Sequence, residues 1–244
     1  MTARLQGQTA LVTGASAGIG RACALALAAE GVEILATGRR QSALQDVVRD
    51  IEDAGGKARY LAGDLNDNGF VDTLGREAGA VDILVNNAGI LTYAPFIDTA
   101  LDDIEAMVRT NLLAPLRLTH WIANAMAKRG SGHVIMITSG AARRPVPLGL
   151  VYTATKHAMA GAARVLRMEL QDSGLKVTEI APGSVETDIR RTSTHPQYVA
   201  KMQGRSYQLL AAEDVASAVV YAATLPENCT THLIEIKPRF GPSA

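Results

Sequence analysis

Tyr152 and Lys156 lie four residues apart in a stretch with helical periodicity, so their side chains share one face of a helix. An ammonium group beside a phenol stabilises the phenolate, and we therefore expect Lys156 to lower the pKa of Tyr152 from its usual value of about 10. Such a tyrosine exchanges protons with an alcohol or a nascent alkoxide near neutral pH. The alternative is an exposed tyrosine and a solvated lysine on an ordinary helix.

Ser139 ends an apolar run that predicts a β-strand, a short distance before Tyr152. Ligands of open α/β sheets bind at the carboxyl ends of the strands, which places the Ser139 hydroxyl where a substrate would lie. We expect this hydroxyl to hold the oxygen of a substrate carbonyl. Together with Tyr152, it indicates proton transfer to or from the oxygen of a carbonyl compound or an alcohol.

Residues 13–20 form a glycine-rich segment, TGASAGIG, between a predicted strand and a predicted helix. Small residues at such a turn let a pyrophosphate approach the backbone N–H groups at the helix N-terminus. The segment lacks the Lys-Ser/Thr pair of a Walker loop, so it is not a typical nucleoside-triphosphate site. A tight turn whose glycines serve packing alone is the alternative.

The same segment also matches the GxSxG motif of serine hydrolases, with Ser16 as the nucleophile. That motif normally follows several strands, whereas this segment follows the first one. A hydrolase also needs an acid and a histidine further along the chain. His195 and His232 are nominal candidates, and neither lies in a recognisable sequence context. The hydrolase is therefore a remote alternative.

Short apolar runs alternate with longer amphipathic stretches along the whole chain. The runs predict strands at 9–13, 32–37, 58–62, 81–85, 133–138, 175–180 and 232–236. The longer stretches predict helices at 21–30, 42–54, 101–128, 152–171 and 213–224. This alternation predicts an α/β fold, a single doubly wound domain over residues 1–244 with about seven parallel strands and helices on both faces.

Five motifs in order resemble the short-chain dehydrogenase/reductase family, in its compact branch with TGxxxGIG and YxxxK. They are TGASAGIG at 13–20, NNAG at 86–89, the serine at 139, YTATK at 152–156 and PGSVET at 182–187. The resemblance covers residues 5 to about 238. It implies a Rossmann-type fold, hydride transfer between NAD(P)(H) and a carbonyl or alcohol, and Tyr152 as general acid/base. It also implies a catalytic tetrad of Asn111, Ser139, Tyr152 and Lys156.

The resemblance further implies which residues contact the cofactor. These are Gly14, Ser16, Gly18, Ile19, Gly20, Asp64, Leu65, Asn87, Ala88, Gly89, Tyr152, Lys156, Pro182, Val185 and Thr187. Asp64 and Leu65 are expected at the adenine ring. Val185 and Thr187 are expected at the nicotinamide carboxamide, which in this family sets hydride transfer on the pro-S side.

The residues after the second predicted strand indicate which cofactor is preferred. An NAD-selective site has an acidic residue there to accept the ribose 2′-OH, and this chain has Gly38 at the aligned position. Arg39 follows at once, and its planar guanidinium can pair with a 2′-phosphate. We therefore expect NADP(H) to be preferred over NAD(H). Some NADP-preferring members carry a second basic residue where this chain has Ala17, and a solvated Arg39-Arg40 pair is the alternative.

Pro115 lies four residues after Asn111 within the predicted helix at 101–128. Proline has no N–H to donate to the carbonyl of residue i−4, so we expect a free Asn111 carbonyl and a bent helix. In the family this carbonyl holds a water that links the lysine to solvent as a proton relay. An ordinary kink without such a relay is the alternative.

The substrate is expected between the segments that follow Ser139, precede Tyr152 and follow Pro182. The expected contacts are Ser139, Arg143, Leu148, Tyr152 and Gly183. The chain end at 232–238 lacks the Asp-Gly-Gly of many members and is similar to clavulanic-aldehyde reductases and NADP-dependent serine/3-hydroxy acid dehydrogenases. The sequence alone does not identify the substrate.

Residues 187–210 lack a clear period early on, and we expect them to form a substrate lid. They carry several cations, namely Arg190, Arg191, His195 and Arg205, and few large apolar side chains. This composition favours a small, polar and even anionic carbonyl or alcohol substrate. The alternative is that these cations point to solvent.

Composition disfavours several other functions. The chain has 24 Lys+Arg and 24 Asp+Glu, so it lacks the surplus of positive charge that attracts nucleic acid or anionic membranes. Cys23 and Cys229 form no CxxC pair and the histidines no HExxH motif, so no metal site is expected. No run of about 18 apolar residues predicts a membrane span, and no signal-like N-terminus is evident. The expected location is the cytoplasm.

Two further expectations concern assembly and catalysis. Members of the family pair the helix of Tyr152 and the helix beginning at Leu101 across a dimer, which implies a homotetramer or a dimer here. Small residues on the Tyr152 helix fit this, although packing on its own sheet explains them equally well; they are Ala158, Gly161, Ala162 and Val165. A redox sensor that binds NADP(H) without catalysis is the second functional hypothesis, and the complete tetrad argues against it.

Overall fold

The computed structural model describes residues 4–79, 81–204 and 206–240. Of the predicted lid cations, Arg205 lies outside the described residues, as does the side chain of Arg191. The first and last residues of the predicted 1–244 domain also lie outside them, so the domain limits stay a prediction.

Seven strands form one parallel sheet. They are β1 (Thr9–Thr13), β2 (Glu33–Gly38), β3 (Ala58–Ala62), β4 (Ile83–Asn86), β5 (Gly132–Ile137), β6 (Leu175–Pro182) and β7 (Leu233–Ile236). Their spatial order is β3-β2-β1-β4-β5-β6-β7, and every neighbouring pair is parallel. Each predicted strand is present with ends within a residue or two of the prediction. The predicted doubly wound, Rossmann-type fold is confirmed.

Eight α-helices connect and flank the strands in the described part of the chain. They are α1 (Gly18–Ala29), α2 (Gln41–Asp53), α3 (Asn68–Ala78), α4 (Leu101–Val108), α5 (Ala114–Arg129), α6 (Leu150–Glu169), α7 (Pro196–Gln203) and α8 (Ala212–Ala223). Helices α3 and α7 were not predicted. No helix among the described residues has the length and apolar character needed to cross a bilayer.

The helix predicted at 101–128 contains a π-helical turn, Arg109–Leu113, between α4 and α5. The Ala114 N–H donates to the Arg109 carbonyl, five residues back, instead of four. Pro115 follows in the first turn of α5, where its missing N–H breaks the regular ladder. The sequence therefore located the irregularity correctly, at Asn111, and the proton relay through its carbonyl stays a prediction.

Apolar side chains cover both faces of the sheet. On one face, Ala10 and Val12 of β1 pack with residues of α1, α2 and α8. On the other face, Leu11 packs with residues of α3, α5 and α6. Strands covered on both sides need apolar residues at every position, which explains the continuous apolar runs in the sequence.

The strand order reverses at β1 and β4, which are neighbours in the sheet. The chain leaves β1 toward one edge and β4 toward the other, so a crevice opens between the loops that follow them. Open α/β folds bind their ligands in this crevice, at the carboxyl ends of the strands. The glycine-rich segment follows β1 and the NNAG motif follows β4, so both lie at this crevice.

Candidate active site

A cleft of about 670 Å³ lies at the carboxyl ends of the strands. Its lining includes all but one of the predicted cofactor contacts. These are Gly14, Ser16, Gly18, Ile19, Arg39, Asp64, Leu65, Asn87, Ala88, Gly89, Tyr152, Lys156, Pro182, Val185 and Thr187. The remaining one, Gly20, lies behind the lining. Residues at the carboxyl ends of five strands thus meet around one cavity with two residues of α6.

Gly20 serves the packing of the glycine-rich loop. It is buried, and a side chain there would collide with the Gly14 carbonyl and the Asn87 amide. Gly14 and Gly18 have positive φ angles of 67° and 52°, which favour glycine. The loop is thus folded tightly at the N-terminus of α1, where free backbone N–H groups suit a pyrophosphate.

Thr13 joins the two loops at the switch point. Its hydroxyl oxygen accepts hydrogen bonds from the N–H groups of Asn87 and Ala88, both at 3.0 Å. The Asn87 side-chain amide donates in return to the Thr13 carbonyl at 2.9 Å. These bonds hold the NNAG segment against the glycine-rich loop, so both sides of the crevice form a single rigid unit.

Arg39 and Arg40 both line the cleft at the end of β2. The Arg40 guanidinium donates to the Ser16 carbonyl at 3.1 Å and lies 3.5 Å from the Ser16 hydroxyl. Arg40 therefore spans from β2 to the glycine-rich loop. The predicted alternative of a fully solvated pair does not describe Arg40. Two arginines and Ser16 thus line this end of the cleft, and their guanidinium and hydroxyl groups are donors that suit an anion.

Tyr152 and Ser139 both line the cleft, where the Ser139 hydroxyl acts on the Tyr152 phenol and lowers its pKa. Ser139 follows β5 and Tyr152 lies in the first turn of α6, so the sheet edge and the helix bring them together. The Ser139 oxygen also accepts from the Ala141 N–H at 3.1 Å, which fixes its orientation. The Lys156 Nζ lies 5.7 Å from the centre of the Tyr152 ring.

The pKa of Tyr152 differs from the prediction. Burial raises it above its usual value, and this outweighs the opposing effects of the hydrogen bond from Ser139 and the charge of Arg190. Lys156 was expected to lower this pKa, but in the structure its ammonium is directed to a backbone carbonyl. The phenol is therefore protonated at neutral pH in the protein alone.

Lys156 is 6% exposed, and its Nζ donates to the Ile137 carbonyl at 3.0 Å. Burial lowers the pKa of this ammonium to about 8. An ammonium has three hydrogens to donate, and no carboxylate among the described residues forms an ion pair with it. Lys156 is thus a buried donor at the base of the cleft with capacity for further acceptors.

Asn111 does not line the cleft. Its side chain instead connects two segments that do, the loop after β4 and helix α6. Its side-chain oxygen accepts from the Ile90 N–H at 2.8 Å, and its amide donates to the Ile90 carbonyl at 2.9 Å. The same amide lies 3.3 Å from the Thr155 hydroxyl. The π-helical turn thereby positions Asn111 between the loop after β4 and helix α6, beside Lys156.

The predicted substrate contacts divide into two groups. Ser139, Tyr152 and Gly183 line the cleft, whereas Arg143 and Leu148 do not. Arg143 forms a salt bridge with Glu179, which is buried in β6, and approaches Glu235 of β7 at 4.0 Å. The charge of Arg143 is thus paired with carboxylates of β6 and β7 and does not face the cleft. The prediction that Arg143 contacts substrate is corrected for this reason.

Leu148 belongs to an apolar cluster beside the cleft, with Tyr93, Tyr152 and Tyr198. Tyr93 stacks on Tyr198 at a ring distance of 4.7 Å and meets the edge of Tyr152 at 6.1 Å. The Leu148 φ angle of 72° is unusual for a residue other than glycine. Leu148 therefore supports the wall around Tyr152 and is not part of the cleft lining.

The predicted lid at 187–210 is an excursion whose two ends meet. Val185 and Leu210 form an isolated parallel bridge, with the Glu186 N–H donating to the Leu210 carbonyl at 2.8 Å. In between lie a short 3₁₀ segment, Asp188–Thr192, and α7. The Thr192 hydroxyl donates to the Leu91 carbonyl at 2.9 Å, which fastens the excursion over the cleft.

Several lining residues were missed from the sequence. Arg40, Ile90 and Tyr93 all line the cleft. The sequence shows Arg40 next to Arg39 as a basic pair. Its contact with Ser16 depends on how the glycine-rich loop folds, which the sequence does not show. Ile90 follows directly on the NNAG motif, which was a usable signal. No local signal marks Tyr93.

The serine hydrolase alternative finds no support in the geometry. Ser16 lies next to Arg40, and none of the described residues that line the cleft is a histidine. His195 instead begins α7 and lies 3.6 Å from Asp98. A nucleophilic serine needs a base within hydrogen-bond reach, and Ser16 has none there.

A model of the short chain dehydrogenase family matches residues 8–197 of the chain. The chain belongs to this family. It is therefore an NAD(P)-dependent oxidoreductase that acts on small molecules, in keeping with the motifs and with the cleft that they line. The predicted resemblance is confirmed.

Individual relatives of this short-chain dehydrogenase extend the comparison. It is 36% identical over 243 residues to the glycine betaine reductase ATRR of Emericella nidulans. The aligned region covers 98% of this chain but only 19% of that much longer protein. It is 31% identical to an NADP-dependent 3-hydroxy acid dehydrogenase of Schizosaccharomyces pombe, covering 92% and 90% of the two chains. A solved structure described as the closed form of serine dehydrogenase complexed with NADP+ matches with a TM-score of 0.86, at 30% identity and 94% coverage of both chains.

Proposed function

We propose that this protein is an NADP(H)-dependent carbonyl reductase or alcohol dehydrogenase in which Tyr152 is the general acid/base. One observation carries the proposal. Tyr152 and Ser139 lie in the same cleft as the glycine-rich loop and the two arginines after β2. A proton-transfer group and a dinucleotide-binding loop thus share a single cavity.

The residues fit a dinucleotide. The tight glycine loop leaves room for a pyrophosphate, and the rim of Arg39, Arg40 and Ser16 suits a 2′-phosphate. Lys156 has donors available for ribose hydroxyl groups. When bound, the nicotinamide supplies a hydride to the carbonyl carbon in reduction and accepts one in oxidation.

The protein's own contribution is the control of a proton at the substrate oxygen. Ser139 holds that oxygen by a hydrogen bond, and Tyr152 donates its proton as negative charge develops there. In alcohol oxidation the same proton moves in the opposite direction. Burial raises the pKa of the phenol, so Tyr152 carries the proton that carbonyl reduction requires. Asn111, beside Lys156, is proposed to organise the water through which the proton is replaced.

The preference for NADP(H) over NAD(H) is part of the proposal. Replacing Arg39 or Arg40 by Ala removes charge-assisted hydrogen bonds to a 2′-phosphate, so KM for NADPH should rise by about 10- to 100-fold, with little change for NADH. Steady-state kinetics with both cofactors measure this. Arg49→Ala is the matched control, since Arg49 is exposed on α2 and pairs with Asp46 of the same helix. Equal losses with NADPH and NADH would contradict the assignment.

NADPH oxidation in the presence of small aldehydes, ketones and oxo acids tests the reaction itself. A non-catalytic redox sensor would bind NADPH without oxidising it with any carbonyl compound. A serine hydrolase would instead be labelled at Ser16 by an active-site phosphonate. We expect NADPH consumption with a small polar carbonyl compound and no labelling of Ser16.

Assembly into a homotetramer or a dimer is likewise a proposal. Its support is the outer face of α6, where Ala158 is exposed, Val165 is 52% exposed, and a side chain at Gly161 would meet no described atom within 4 Å. These three residues face away from the chain's own sheet, which supports contact with a second copy, while Ala162 is half-buried. The cytoplasm is proposed as the location, in keeping with the free thiols of Cys23 and Cys229.

A further inference from the structure

Arg190 is a partly buried cation in the lid that lines the catalytic cleft. Its Nε donates to the Val185 carbonyl at 3.1 Å, which fixes the guanidinium group over the cleft. Its Nη1 lies 3.8 Å from the sulfur of Met202, a weak acceptor. Its charge also acts on Tyr152, lowering the pKa of the phenol. The guanidinium therefore lies within electrostatic reach of the reacting oxygen.

Arg190 has no counter-ion among the residues that the structure describes. Two other partly buried arginines are paired, Arg143 with Glu179 and Arg117 with Asp72 at 2.7 Å. Partly buried Arg167 instead donates to two backbone carbonyls. Three carboxylates of the described residues line the same cleft and none of them forms an ion pair with Arg190; they are Asp64, Asp103 and Asp188. A partly desolvated cation without a partner is costly, and an anionic ligand would remove that cost.

A second observation lies on the other side of Arg190. A smaller cavity of about 400 Å³ is lined by Arg190 and by Tyr198 of α7. Tyr198 is 4% exposed, and in the described part of the protein its hydroxyl is buried without a hydrogen-bond partner. A buried hydroxyl without a partner is unfavourable. Arg190 and Tyr198 thus line the same cavity, and the hydroxyl of Tyr198 lacks an acceptor among the described residues.

We propose that Arg190 and the Tyr198 hydroxyl bind a carboxylate of the substrate. The substrates are then small oxo acids and the corresponding hydroxy acids, with the carboxylate toward the lid and the reacting oxygen at Ser139 and Tyr152. This inference rests on the proposed reductase function. A single guanidinium matches the single charge of a carboxylate, while a phosphate dianion would retain an unpaired charge. The carboxylate itself is unchanged by the reaction.

Binding to the NADPH complex tests the proposal without requiring turnover. The fluorescence of bound NADPH is followed while butanoate, butanamide or propylphosphonate is added. We expect butanoate to bind about tenfold or more tightly than butanamide, because only butanoate pairs with the guanidinium. Arg190→Leu should abolish this difference and Arg190→Lys should restore part of it. Tyr198→Phe, which removes a single oxygen atom, should reduce it by a few fold.

Lys201→Gln is the matched control, because Lys201 is an exposed cation of α7 that lines neither cavity. It should leave the preference for butanoate unchanged. Equal binding of butanoate and butanamide to the wild type would overturn the proposal, as would tighter binding of propylphosphonate. Weaker binding of NADPH itself to Arg190→Leu, with the preference for butanoate retained, would assign Arg190 to the cofactor instead.

The binding result also separates this inference from the proposed function. If neutral carbonyl compounds are reduced but butanoate is not preferred, the carboxylate site is wrong and the reductase stands. If butanoate is preferred through Arg190 but no carbonyl compound is reduced, the site stands as an anion site and the reductase is wrong. Each outcome thus assigns the failure to one claim.

Discussion

Replacement of Tyr152 by Phe is expected to lower kcat for carbonyl reduction by about 10²- to 10⁴-fold, the usual contribution of a positioned general acid. The substitution removes one hydroxyl and keeps the ring, which meets the edge of Tyr93. The apolar cluster beside the cleft should therefore keep its packing. NADPH should bind with nearly unchanged affinity, because the change removes the proton donor and leaves the glycine-rich loop intact. Steady-state kinetics and a fluorescence titration with NADPH measure the two quantities.

Tyr221→Phe is the matched control for this substitution. Tyr221 is 58% exposed on α8, away from the cleft lining, so the same loss of a hydroxyl there should leave kcat unchanged. Turnover by Tyr152→Phe at the rate of the wild type would show that another group protonates the substrate. Loss of NADPH affinity and of activity together would instead indicate a structural role for the phenol.

Replacement of Lys156 by Met is expected to lower kcat/KM by about 10²-fold or more, since it removes the buried donor that we propose for cofactor binding and proton replacement. Part of the effect should appear as weaker NADPH binding, because Lys156 is proposed to hold the ribose. Kinetics and NADPH titrations separate the two parts. Lys128→Met, at an exposed position near the end of α5, is the control for loss of a lysine charge.

Thermal unfolding distinguishes this role from a structural one. Burial lowers the pKa of Lys156 to about 8, below the 10.5 of an exposed lysine, so the folded state disfavours the ammonium. Between these values the unfolded state binds more protons, and the contribution of Lys156 to stability therefore improves as pH rises. Lys156→Met should accordingly keep its Tm at pH 7. A large fall in Tm there would mean that the lysine mainly holds the fold together.

The strands and most helices were predictable because the pattern that reveals them is local. The run TALVT of β1 is apolar on both faces because both faces of the sheet are covered. Helix α3 was missed since Gly69 and Gly75 weaken its helical signal. Gly75 is required by a distant contact, because a side chain there would lie 2.8 Å from the Trp121 ring of α5. Helix α7 is short and polar, and Pro196 at its start was the signal available.

Most of the predicted site residues line one cleft, as the motifs indicated, whereas their electrostatics were not predictable. Arg143 was assigned to the substrate because it follows Ser139, but its partner Glu179 lies in a different strand, which no local pattern reveals. The pKa of Tyr152 depends on burial, which outweighs the opposing effects of Ser139 and Arg190. Both the ion pair and the pKa depend on groups that are distant in sequence, so they can be determined only from the folded structure.

Deuterium transfer from NADPH tests the central claim most directly. The wild-type protein is incubated with NADPH that carries deuterium at the pro-S position of nicotinamide C4 and with the carbonyl panel, and the alcohols are analysed by mass spectrometry. We expect one deuterium on the carbinol carbon of a small polar product, and none when the label is at the pro-R position. Tight binding of NADPH with no deuterium in any alcohol would contradict the claim that this cleft performs hydride transfer.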